Sequence, residues 1–240
     1  MKSLDTLLAK QNLAPQELGK GRNVWYCMGY ILSVGKAEAV ALHDCDIVTY
    51  SRSLLARLVY PVANPKFNFD FCKGYYPRVS ENKVKGRVAR LLVTPLLRAL
   101  EKTIGFNEFI SFVDSFRYPL AGEFSFRRRV LKDIRIPYDW GLEIGVLSEM
   151  FRNYAGNRLC QVDIADNYDH KHQDIFFDDN SKGLSKMSID IIKVIIRKLA
   201  SQGEPFSMSI FRSLKATYYG EALDFVQIYK KDALMNAYDI

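Results

Sequence analysis

The chain has 240 residues, 48% of them apolar and 25% charged, which is the composition of a globular domain and excludes a disordered tail or a low-complexity fibre. Its 34 lysines and arginines against 27 aspartates and glutamates leave a net charge of +7, spread over the whole length. The densest basic run, Arg127-Arg128-Arg129, has no nucleic-acid-binding motif around it; a basic balance suits nucleic acid and an enzyme of phosphorylated, anionic substrates alike, and charge alone does not choose between them. No apolar run is long enough to cross a membrane, and the charged N-terminus builds no signal core, which predicts a soluble, cytoplasmic protein. The four cysteines, Cys27, Cys45, Cys72 and Cys160, are scattered and form no CxxC pair, as expected of reduced thiols.

In chain order, residues 1–21 read as polar, with turn signals at Gly19 and Gly21, and residues 22–32 as a short helix. Residues 39–42 form an apolar run closed by His43-Asp44-Cys45-Asp46, the pattern of a buried parallel strand whose C-terminal end presents carboxylates. A helix is predicted over 49–58, a loop over 61–65 and a half-buried strand over 67–76. An amphipathic helix follows over 84–100, then a turn at 119–123, and helices over 125–133 and 141–154. Residues 161–164 read as a strand and 166–179 as a polar loop. From 188 onward the pattern is helical to about 235. The tally is an α/β domain over 1–185 followed by a helical extension over 186–240.

Asp44 and Asp46, at i and i+2 just past a strand, can turn together towards one hard cation and a diphosphate, although ordinary surface turns also produce this pattern. Asp169-His170-Lys171-His172 is a second candidate: an imidazole with carboxylates suits magnesium or manganese better than zinc, and solvated surface histidines are the alternative. His43, at the end of the apolar run, reads as structural. Lys20 between two glycines at a helix start is a phosphate seat without Walker spacing, or else a solvated turn. Gly86-Arg87-Val88-Ala89 is a similar anion seat with an arginine donor. Glu143, in the first turn of its helix after Trp140-Gly141, can orient a sugar hydroxyl or simply stabilise the helix dipole.

These pieces occur in one order: GKG, strand-DxD, KGYY, GRVxRLLxxPLL, PLxGE, GxEIG, DHKHQ, then DxxxKGLxKM at 178–187. In that order they closely resemble the glucosyl-3-phosphoglycerate synthases, family 81 of the retaining glycosyltransferases, over residues 18–200. The resemblance implies an α/β GT-A fold and transfer of glucose from UDP-glucose to 3-phosphoglycerate with Mg2+ or Mn2+. It implies Asp44, Asp46 and His170 as metal ligands. Lys20, Asp44, Cys45, Asp46, Leu120, Trp140 and Glu143 fall at the donor, with Glu143 and Asp46 catalytic. Gly86, Arg87, Val88, Ala89 and His172 fall at the acceptor, and a homodimer without nucleic-acid or membrane partners is implied. Ala89 stands where the family usually carries a hydroxyl. The family's first strands should precede Gly19, where only 18 residues stand, which predicts a GT-A domain lacking those strands and stopping early at its C-terminus. Two other readings are a catalytically silent remnant serving as a binding or dimerisation module, and a mannosyl-3-phosphoglycerate synthase.

Overall fold

The computed structural model describes residues 2–13, 19–80, 82–169 and 183–239. Its elements are α1 (Lys2–Lys10), α2 (Lys20–Val34), β1 (Ala39–Leu42), α3 (Arg52–Ala63), β2 (Phe71–Tyr75), β3 (Val79–Ser80), β4 (Lys83–Val84), α4 (Thr94–Ile104), α5 (Glu108–Asp114), β5 (Phe124–Arg127), α6 (Leu142–Asn153), β6 (Leu159–Asp163), α7 (Gly183–Ser201) and α8 (Met208–Met235). Four strands make one mixed sheet in the order β1-β5-β2-β6, and β3 and β4 form a small hairpin. β5 is antiparallel to both its neighbours, whereas β2 and β6 are parallel. No helix among the described residues is long and apolar enough to cross a membrane.

The sheet is a middle layer. Phe71, Phe124 and Phe126 point to the face covered by α2 and α6, where Leu142, Val146, Leu147 and Met150 complete a buried cluster. Cys72 and Ala121 lie on the opposite side with Leu54, Leu58 and Val62 of α3. A third cluster joins α4, α5, α7 and α8, with Leu97, Phe109, Ile195 and Leu214 inside it and Ile144 linking it to α6. α7 and α8 therefore share a core with the α/β layers.

Several sequence expectations change. Residues 125–133 are not a helix. Phe124-Ser125-Phe126-Arg127 alternates with period two, and its phenylalanines pack one way while the Ser125 hydroxyl donates to the Leu58 carbonyl on the other side at 2.6 Å. A 3₁₀ turn over Arg128–Lys132 follows. β1 is half-buried, and its partner β5 runs antiparallel to it, rather than the fully buried parallel pairing expected. β2 is buried on both faces, so its apparent alternation hid a central strand, and the half-buried reading fails. Residues 2–10, read as polar, form α1, which is fastened to α2 where the Asp5 carboxylate accepts from Arg22 and Tyr26. Pro61 sits in the last turn of α3, which runs on to Ala63, into the loop predicted over 61–65.

The helix expected over 84–100 is preceded by the β3–β4 hairpin and by Gly86, whose φ of 82° only glycine adopts freely. It also carries a π-helical turn over Ala89–Val93, where the Thr94 amide reaches back to the Ala89 carbonyl. Pro95 is the cause: lacking an N–H, it cannot bond Leu91 four residues earlier. The freed Leu91 carbonyl accepts instead from the Tyr218 hydroxyl of α8 at 2.9 Å, so the defect becomes an attachment point.

Asp70, only 2% exposed, directly precedes β2 and accepts from Arg129 at 2.7 and 2.9 Å and from Arg158 at 2.8 Å. It joins β2 to the turns that follow β5 and precede β6. Asp70→Ala leaves both guanidiniums without their buried carboxylate, and an equilibrium urea titration is expected to show a loss of about 3 kcal/mol.

Candidate functional site

The approach of two backbones builds the site. Gly21, in the first turn of α2, lies so close to residues 137–138 that a Cβ there would sit 2.3 Å from the Pro137 carbonyl oxygen. The Arg22 amide donates to the Tyr138 carbonyl at 3.2 Å. This contact sets the start of α2 beside the start of α6, and Lys20 Nζ donates to Glu143 Oε1 at 2.7 Å across 123 residues. The same ammonium is ion-paired with Asp44 at the end of β1. Burial works against the Lys20 charge, but Glu143 and Asp44 together outweigh it and hold the group above the ordinary lysine range.

These side chains line a cavity of about 550 Å3 at the C-terminal end of β1. The cavity wall also includes Cys45, Asp46, Leu120 and Trp140, and on another side Gly86, Arg87, Val88 and Ala89. Sequence positions as far apart as Lys20 and Glu143 thus converge on one volume. His170 and His172 lie outside the described residues. Glu143 is only 5% exposed, whereas Arg87 and Cys45 are open to solvent. Leu184 and Met187 of α7 close part of the cavity, a contribution the sequence reading did not assign. His43 also reaches the wall, packed edge-on to Tyr50 at 5.5 Å. Burial lowers its pKa, against the pull of Asp44, and keeps the ring neutral.

The reading also missed the buried groups behind the wall. Glu123, ending the PLAGE turn, accepts from Tyr168 at 2.6 Å and from Tyr76 at 2.8 Å, and the Asp44 amide donates to it at 3.3 Å. The two tyrosine rings stack at 3.5 Å. Burial and the Asp44 charge raise the Glu123 pKa, while the tyrosine hydrogen bonds and Lys20 act in the opposite direction. Lys73, in the centre of β2, is 1% exposed and donates to the Ala121 carbonyl at 2.5 Å. A lysine and a glutamate inside the KGYY and PLxGE motifs were the available signals, but neither motif shows by itself that the two side chains point inwards.

A hard cation fits the wall. Asp44 and Asp46 bring two carboxylates from one turn to the cavity, and two are sufficient for magnesium or manganese when phosphates and water complete the shell. Gly122 keeps the place open: a Cβ there would lie 2.5 and 2.7 Å from the Asp44 carboxylate oxygens and 2.6 Å from Lys20 Nζ. Among the described residues no group of three His, Cys, Asp or Glu side chains is gathered.

No family model matches the chain. It is 51% identical over 218 residues to a glucosyl-3-phosphoglycerate synthase of Persephonella marina, covering 91% of this chain and 54% of that protein. It is 40% identical over 221 residues to the glucosyl-3-phosphoglycerate synthase of Methanococcoides burtonii, again covering 91% and 54%. The chain therefore spans about half the length of the curated relatives it matches. Its fold matches that of the Mycobacterium tuberculosis glucosyl-3-phosphoglycerate synthase, solved with phosphoglyceric acid, with a TM-score of 0.58 at 24% identity over 80% of this chain and 58% of that one. A second structure of that enzyme, with Mn2+, UDP-glucose and phosphoglyceric acid, matches equally well. The architecture is that of the GT-A nucleotide-sugar transferases.

Lys73 supplies a pH test of the buried cluster. Burial brings its pKa down to about 8, against the pull of Glu143 and Glu123, whereas an unfolded lysine titrates near 10.4. Between these values the unfolded chain binds the extra proton, so the penalty for burying the charge is full below pH 8 and is relieved as pH rises towards 10.4. Tyr76, Tyr118 and Tyr168, all with raised pKa, act in the opposite direction from about pH 10. The stability difference between parent and Lys73→Met, followed by urea unfolding, is expected to move towards the parent by up to about 3 kcal/mol over that window.

Proposed function

We propose that this chain, a relative by sequence of the glucosyl-3-phosphoglycerate synthases over about half their length, transfers glucose from UDP-glucose to 3-phosphoglycerate with retention of configuration. The observation that carries the proposal is the convergence of Lys20, Asp44, Asp46, Glu143 and the Gly86-Arg87-Val88 segment on one cavity. The relatives' printed names and the ligands of the M. tuberculosis structures support it.

In this reading the donor lies against the α2, β1 and α6 side of the cavity. Lys20 presents its ammonium to the nucleotide sugar, and Glu143, held by Lys20, accepts from the sugar hydroxyls. The backbone of Leu120 lines the donor sugar, and Trp140 closes its side. Asp44 and Asp46 would hold Mg2+ or Mn2+, with His170 as the third ligand. Bound there, the metal neutralises the charge that develops on the departing diphosphate.

The acceptor enters from the opposite wall. Gly86 and Val88 offer backbone N–H groups, and Arg87 offers a guanidinium, to the phosphate and carboxylate of 3-phosphoglycerate. Ala89 supplies no hydroxyl, so the acceptor anion rests on those groups and on His172. The acceptor hydroxyl attacks C1 on the face from which the diphosphate leaves, and its proton passes to the departing diphosphate oxygen. The configuration at C1 is retained without a covalent bond between sugar and protein. Catalysis then consists of positioning and of charges fixed before the reaction begins.

Two measurements test the proposal. Ligands that bind only the folded state raise its midpoint by mass action, so Mn2+ plus UDP-glucose at about 100 times Kd should raise Tm by about 5–10 °C. Asp46→Ala should remove that shift with the unliganded midpoint nearly unchanged. If the parent shows no shift, the chain does not hold the donor. In a glucosyl-transfer assay with 3-phosphoglycerate, Glu143→Gln is expected to lower kcat about 100-fold, with circular dichroism unchanged.

A further inference from the structure

β2 and β6 are the parallel pair at one end of the sheet, and their register sets Cys72 directly opposite Cys160. We infer that these two thiols are a redox-modification site: a peroxide converts them to a disulfide that joins the two strands within the native fold. Both side chains lie on one face of the sheet, Cys72 inside the cluster with Leu54, Leu58 and Val62, and Cys160 packed against it. Neighbouring strands are about 4.7–4.9 Å apart, inside the Cα separation of about 4.4–6.8 Å that a disulfide spans.

The position of each sulfur carries the inference. Cys160 Sγ donates to the Phe71 carbonyl at 3.6 Å, on the residue just before Cys72, so this sulfur already leans across the gap towards β2. The two thiols are also hydrogen-bonded to each other. That bond, together with burial, raises the Cys72 pKa, and it lowers that of Cys160 against the effect of burial. Cys160 is therefore the thiol more readily ionised, and the one that attacks first. Access divides in the same way, since Cys160 is half-buried and Cys72 is fully buried. Among the described residues β6 pairs only with β2, so this edge strand can take up a small shift without breaking a second ladder. Cys27 and Cys45 are exposed and belong to α2 and to the turn after β1, away from this pair.

The chemistry balances with a peroxide as the oxidant. The Cys160 thiolate attacks the O–O bond; a sulfur–oxygen bond forms, and the other oxygen leaves as hydroxide, which takes the proton Cys160 has lost and becomes water. The Cys72 sulfur then attacks the sulfenic sulfur of Cys160. The S–O bond gives way to an S–S bond, and the departing hydroxyl takes the Cys72 proton as a second water. Two thiols are oxidised and one peroxide is reduced. Lys73 follows Cys72 on β2, and β6 leads towards Tyr168, which donates to Glu123. The disulfide thus ties together the two strands behind the cavity, and the site stands independently of the transferase reading.

The test exposes the purified, reduced chain to hydrogen peroxide, raised until the exposed Cys27 and Cys45 react, then blocks free thiols with iodoacetamide and maps peptides without reductant. A peptide pair joined through Cys72 and Cys160, two hydrogens lighter than the reduced peptides and separated by dithiothreitol, is expected. In Cys72→Ala the oxidation of Cys160 should stop at a sulfenic acid that dimedone traps, and in Cys160→Ala the buried Cys72 should stay reduced. The linked parent should melt about 5–10 °C above the reduced one, because the closed loop constrains the unfolded chain, and dithiothreitol should remove the gain. The peptide map of the parent decides the matter even where a variant does not fold. The inference is overturned if Cys72 and Cys160 stay unlinked while Cys27 and Cys45 react, or if the link forms only in urea. It is also overturned if the linked chain melts no higher than the reduced one, or if dimedone traps nothing on Cys160 in folded Cys72→Ala.

Discussion

One ammonium group holds the cavity in shape. Lys20 stands between Glu143 and Asp44, which belong to a helix start and a strand end far apart in the chain, and it balances both at once. A half-buried ammonium is costly without a partner, and here Glu143 and Asp44 together keep Lys20 charged. The geometry depends on glycine at two places. Gly21 lets α2 rest on the chain before α6, and Gly122 leaves the space in which Lys20 and Asp44 meet. A side chain at either position would separate the charges before any ligand arrived.

Behind this outer cluster lies a second, fully buried one that fixes the frame. Glu123 gathers Tyr76, Tyr168 and the Asp44 amide, tying the turn after β1 to the ends of β2 and β6. Lys73 holds the Ala121 carbonyl from the centre of β2 and so sets the turn that contains Leu120 and Gly122. Buried polar groups of this kind contribute little net stability, but each is costly when left unpaired, so the arrangement tolerates few alternatives. A cavity whose work is to hold charge in fixed positions needs that rigidity.

The helical half of the molecule has a comparable role on the acceptor side. Pro95 breaks the hydrogen-bond ladder above the Gly86 segment, and Tyr218 of α8 fills the gap at the Leu91 carbonyl. Tyr229 covers Arg90, and Leu184 and Met187 of α7 close the cavity. Helices distant in sequence thus reach the wall of the site, and α7 and α8 share a buried cluster with α4 and α5.

The sequence by itself determined the class of the fold, the ordered motifs and most of the cavity lining, because short motifs state local chemistry directly. Asp44 and Asp46 beyond an apolar run, Lys20 between glycines and Arg87 at a helix start can each be recognised without knowing their neighbours. Strand direction, the central place of β5 and the inward aim of Lys73 and Glu123 were decided only by the tertiary structure. Four residues of Phe-Ser-Phe-Arg form a strand because β1 and β2 flank them, and Lys73 is buried because both faces of β2 are covered. Pairing and burial are properties of the surroundings, and long-range packing overrides the local preferences that a sequence can display.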